Sequence, residues 1–132
     1  MRYVVLGARV VLGLIFLLMG LNGLLHFFSM PYPTGDALTW YGIMAGHHWM
    51  NFVSVVQLVG GLLLLVGRFV PLGLTLLAPV IVNILLYHAV LWPHGYALAI
   101  LALVLELFLL GVYWRNFAPL LAPNPEAQTP KL

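Results

Sequence analysis

The sequence predicts an all-α integral membrane protein, a four-helix bundle with both termini on the cytoplasmic side. Three observations lead there. Of 132 residues, 64% are hydrophobic and only 6% charged, too few polar groups to separate an apolar interior from water. Four apolar runs, at 10–28, 48–66, 70–91 and 95–114, have about the ~20-residue length that crosses a ~30 Å hydrocarbon core as a helix. All five basic residues, Arg2, Arg9, Arg68, Arg115 and Lys131, fall on one side when the chain threads in-out-in-out-in, and the positive-inside rule makes that side cytoplasmic.

The first run follows Arg2 and Arg9, as a secretory signal would. It is longer than a signal core, and no small-x-small cleavage site follows Leu24 to Phe28, so it reads as a retained helix. The outer loop opens with Met30-Pro31-Tyr32-Pro33-Thr34-Gly35, residues that resist helix formation. Asp36 then caps a short helix over 36–45, with Gly46 as its stop. In it, Ala37, Trp40, Tyr41 and Met44 recur at helical spacing, which lays this segment along the interface as a lid over the bundle. Gly67-Arg68-Phe69 makes a tight turn, Pro71 suits the first turn of the third membrane helix, and Pro79 bends that helix. The four spans make one domain, 1–117. Residues 118–132, with Pro119, Pro123, Pro125 and Pro130, form a flexible cytoplasmic tail.

Composition also narrows function. The chain has no cysteine, so dithiol chemistry and thiolate metal sites are excluded, and any redox role needs a bound cofactor. A net charge of +2, spread along the chain, excludes nucleic acid as a partner. Ser29 and Ser54 have no adjacent base, which argues against hydrolysis.

Chemistry therefore rests on polar groups within the apolar runs, sorted by depth at ~1.5 Å per residue. Gln57 and Glu106 sit near mid-bilayer. Asn22 and Asn83 lie ~4 Å outward, and His26, Asn51, Tyr87 and His88 ~9–11 Å outward. Each run carries a stripe at three-four spacing: Asn22 and His26; His47, Met50, Ser54, Gln57 and Gly61; Thr75, Pro79, Asn83 and Tyr87; Tyr96, Ala99, Leu103, Glu106 and Leu110. With every stripe turned inward, these residues would line a polar funnel open at the outer mouth and closing at Gln57 and Glu106. Glu106 is the costliest residue there. It must be protonated, hydrogen-bonded to Gln57 or Asn83, or reached by water.

Residues 9–16, 20–27, 60–72 and 78–91, together with Leu105-Glu106, resemble the DoxX-like family of small bacterial membrane proteins. The resemblance covers nearly all of the membrane region and implies a multi-pass four-helix bundle of the bacterial inner membrane. It also implies association with quinone-linked oxidation or with membrane oxidoreductase assemblies. The family often carries Glu where Gln57 stands and Lys soon after the first-helix glycine, where this chain has Asn22-Gly23-Leu24.

Three functions fit the residues. The first is a redox-associated subunit, rather than a stand-alone enzyme, that binds a quinone-like or other small ligand through Asn22, His26, Asn51, Gln57, Asn83, Tyr87, His88 and Glu106. The second is a metal or haem site built from His26, His47, His48 and His88. The third is a non-catalytic assembly partner or small-solute transporter. Expected partners are the lipid bilayer, membrane oxidoreductase subunits and further copies of the chain.

Overall fold

The computed structural model describes residues 1–128, and these are helical with no strand among them. α1 (Arg2–Leu25) begins well before the apolar run at Val10, because nothing from Arg2 to Arg9 interrupts a helix. α2 (Asp36–Gly46) follows the outer loop, and α3 (Trp49–Val66) the short turn after it. α4 (Val70–Leu86) continues into a π-helical turn, Tyr87–Leu91. α5 (Tyr96–Val112) is followed by α6 (Trp114–Phe117) and a 3₁₀ turn, Ala118–Leu121.

α1, α3 and α4 with its π turn are each long and apolar enough to span a membrane. α5 has 17 residues, ~25 Å of helix. It passes the same test only together with Trp114–Leu121, which is bent away from it by 80°. The protein is thus an all-helical membrane bundle of three or four spans.

Positive backbone angles make the corners. His26 (φ 53), His48 (φ 60) and Phe69 (φ 55) are left-handed, as are Gly35 (φ 63), Gly67 (φ 77) and Gly95 (φ 71). Gly35 is the N-cap of α2 and Asp36 its first helical residue, so Asp36 supports the helix through the dipole and not as the expected cap. Gly46 is still helical, and α2 ends on His47.

The spans form a ring in which α1 packs on α3, α3 on α4, α4 on α5 and α5 back on α1. Without a hydrophobic force between helices in lipid, close approach and shape decide which faces meet. A methyl group at Gly13 would stand 2.9 Å from the carbonyl oxygen of Gly61, and one at Gly61 would stand 2.7 Å from that of Gly13. The two backbones therefore touch, and neither position admits a side chain. Around this contact Leu12, Phe16, Leu64, Leu74, Leu77, Ile81 and Leu109 are fully buried.

Basic residues gather at one end of the ring. There the Arg9 guanidinium lies over Gly67, whose added Cβ would meet Arg9 Nη2 at 2.9 Å, and Arg9 Nε is buried without a partner. We call this the arginine end and the opposite one the histidine end.

Candidate functional site

The polar residues singled out by sequence divide between the interior and the surface: Asn22, Gln57 and Glu106 are buried, whereas His26, Asn51 and Asn83 are exposed. Glu106 is 2% exposed and Gln57 7%, so both lie inside the bundle, and Ser54 is buried with them. Neither carboxylate oxygen of Glu106 has a hydrogen-bond partner. The expected bonds to Gln57 or Asn83 are therefore not made, and a buried carboxyl is not reached by water from an open funnel.

Asn22 is also buried, but its work is local. Its backbone carbonyl accepts from His26 N–H at 2.8 Å, and its side-chain Oδ1 accepts from Phe28 N–H at 3.0 Å. One asparagine thus satisfies the orphan groups where α1 turns into the loop. His26 is the left-handed cap residue and is exposed.

Asn51, His47 and His48 are exposed at the start of α3, with Asn51 Nδ2 donating to His48 Nδ1 at 3.4 Å. His88 Nδ1 donates to the Trp92 carbonyl at 3.0 Å. No group of three or more His, Asp or Glu positioned to hold a metal occurs among the described residues. His26, His47, His48 and His88 are accordingly not gathered into one site.

The third membrane helix corrects the funnel most sharply. Thr75, Pro79 and Asn83 are exposed, while Gly73, Leu74, Leu77, Val80 and Ile81 are buried. The apolar stripe faces the bundle because Gly73 lets α4 approach Gly60: a methyl group at Gly73 would stand 3.1 Å from the Gly60 carbonyl oxygen. Polarity does not outrank this contact, since lipid gives a helix no general reason to hide its apolar side.

The outward stripe has its own partner. Trp40, Asn83, Leu86, Tyr87, Val90 and Leu91 line a groove of about 280 Å³ between α2 and the end of α4. The rings of Trp40 and Tyr87 lie 5.1 Å apart, and Tyr87 stands edge-on to His88 at 5.2 Å. Trp40 belongs to the segment that its helical spacing lays along the interface, and the spacing of Asn83, Leu86, Tyr87, Val90 and Leu91 is that of one shared face. The groove lies on the outward side of α4, where Asn83, Leu86 and Val90 are exposed.

The groove also coincides with the change from α to π geometry at Tyr87. The wider turn closes with Trp92 N–H donating to the Tyr87 carbonyl at 3.0 Å. It shifts the phase of the side chains beyond Leu86, and Tyr87, Val90 and Leu91 line the groove from within it. Such turns are marginal in isolation and recur at functional sites.

The DoxX family model matches residues 4–90. The chain belongs to the DoxX family. Comparison with curated proteins and with solved structures finds no match. The DoxX match runs from the first turn of α1 into the π turn, so it takes in Trp40, Asn83 and Tyr87 but stops short of α5 and Glu106. The lateral groove is thus part of the DoxX region, whereas the buried carboxyl lies in the segment beyond it.

Chemically the groove offers an amide, a phenol and two aromatic faces on an otherwise apolar wall. That combination can hold a flat, polar-edged ring whose remainder stays in lipid. It has no nucleophile, and His88 is engaged through Nδ1.

Proposed function

We propose that this DoxX protein binds the head group of a quinone-like, lipid-soluble molecule in the groove between Trp40, Asn83 and Tyr87. The observation that carries the reading is the exposed amide of Asn83 within a span, set beside the Trp40–Tyr87 aromatic pair. An amide facing hydrocarbon without a partner costs on the order of 2 kcal/mol or more, and a carbonyl-bearing ring bound there would relieve that cost. The opening is lateral, so a ligand partitioned into the bilayer reaches it without crossing the histidine end. We further propose that the arginine end is cytoplasmic in a bacterial inner membrane. The chain would then serve as a ligand-binding subunit alongside membrane oxidoreductases, and not as a stand-alone enzyme.

The test is equilibrium binding of a short-chain ubiquinone or menaquinone analogue to the protein in nanodiscs. Saturable binding that Asn83→Leu weakens at least tenfold supports the reading. Non-saturable partitioning, identical in wild type and Asn83→Leu, removes it.

A further inference from the structure

The last span ends in a hydrogen-bonded corner. Tyr113 N–H donates to the Leu109 carbonyl at 2.9 Å, and the Tyr113 carbonyl accepts from Asn116 N–H at 2.9 Å and from Asn116 Nδ2 at 3.3 Å. The chain turns there by 80° into Trp114–Leu121, and Ala122 N–H closes the 3₁₀ turn on the Pro119 carbonyl at 3.3 Å. Phe117 packs against the buried core. The segment is thus fixed to the bundle, nearly square to the span it follows.

Most of its other side chains face away from the protein. Trp114 and Arg115 are exposed, and Leu120 and Leu121 are 75% and 68% exposed. Leucines left in water gain free energy on transfer to an acyl boundary, whereas an arginine carried into hydrocarbon is costly. Continuing α5 as a broken span would take Arg115 into the hydrocarbon along with the leucines. A segment lying in the membrane plane satisfies both residue types, and Trp114 is of the kind enriched at that level. The 17 residues of α5 are by themselves within the range that crosses a bilayer.

Charge selects the head group. Arg2, Arg68 and Arg115 are all exposed at the arginine end. Of the three acidic residues, Asp36 begins α2 at the histidine end and Glu106 is buried, which leaves Glu126, beyond Leu121, to oppose them. The exposed balance at this end is positive.

We infer that Trp114–Leu121 is a membrane-surface segment that seats on anionic phospholipid in the leaflet at the arginine end, with Leu120 and Leu121 in the acyl boundary and Arg115 at the phosphates. This contact is separate from the quinone groove and does not depend on it.

The chain has no cysteine, so one introduced cysteine carries a single spin label. In nanodiscs containing phosphatidylglycerol, a label on Leu121→Cys should collide more with oxygen than with a water-soluble nickel chelate, and a label on Gln128→Cys should show the reverse. In detergent, the lipid that the full-length protein retains from an equal mixture of phosphatidylglycerol and phosphatidylcholine is counted by native mass spectrometry. Arg115→Gln should lower the preference for phosphatidylglycerol about fivefold, the effect of one interfacial charge, and Arg115→Lys should keep it. A Leu121→Cys label as open to water as the Gln128→Cys label, or an equal preference in wild type and Arg115→Gln, would overturn the assignment. A Leu121→Cys label shielded in native membranes but open to water in nanodiscs would give the segment to a partner protein and overturn it too.

Discussion

The rings of Trp40 and Tyr87 meet at 5.1 Å between centroids with 40° between planes, and this contact ties the short helix α2 to the π turn of α4. It is what makes a groove of Asn83: without Trp40 overhead, the amide would stand on an open helix face. The outer loop is therefore part of the candidate site and not only a link between spans.

Removing the roof should weaken the ligand and spare the fold. An aromatic pair contributes ~0.5–1.5 kcal/mol beyond its buried area, and ligand contact with the indole adds to that. Trp40→Ala is expected to raise the Kd for a quinone analogue about tenfold, read by equilibrium binding, with far-ultraviolet circular dichroism unchanged. Unaltered affinity would show that α2 covers the groove without contributing to it.

Asn22 should behave in the opposite way. Asn22→Ala removes the Oδ1 acceptor of Phe28 N–H, a loss of ~1 kcal/mol, and is expected to lower the unfolding midpoint in mixed micelles. Ligand affinity should stay at the wild-type value. A large fall in affinity at constant stability would return Asn22 to the binding set.

Glu106 separates stability from function. Its two oxygens are buried without partners, so an apolar side chain of similar size is expected to be neutral or to stabilise by ~1–2 kcal/mol. Glu106→Leu should therefore unfold at an equal or higher denaturant concentration, and Glu106→Lys should fail to accumulate. A Leu variant that is markedly less stable would mean that the carboxyl holds its helices together.

The α1–α3 contact tolerates no side chain. Gly61→Leu would push into the Gly13 carbonyl and the backbone at Leu17, and the spans would have to separate. A loss of ~3 kcal/mol or more is expected from such overpacking, measured by steric trapping or denaturant titration. The variant should still insert, because insertion depends on the hydropathy of each span separately.

What sequence could show depended on whether a residue's neighbours were its own or another helix's. The α3 stripe of Ser54, Gln57 and Gly61 was legible because small and polar residues share one face, and all three are buried. On α4 the same rule failed. Thr75, Pro79 and Asn83 were read as inward for their polarity, but the Gly60–Gly73 approach turned the apolar stripe inward instead. Asn22 was read as a ligand group because its partner, the backbone of Phe28, is set by a left-handed turn at His26 that non-glycine residues rarely adopt. The Trp40–Tyr87 pairing depends on how a long loop folds back over α4, and no periodicity within either segment encodes that.

The reciprocal approach of Gly13 and Gly61, each facing the other's carbonyl oxygen, also bears on how the protein is made. Both partners have left the ribosome once Gly67 has emerged, before any residue of α4 is needed. The first two spans can therefore dock as a pair during synthesis, with Arg9 settling over the Gly67 turn as their clasp. The later helices then assemble against this pair, and an arrested chain just long enough to carry Phe69 out of the ribosomal exit tunnel should already hold α1 and α3 within cross-linking distance.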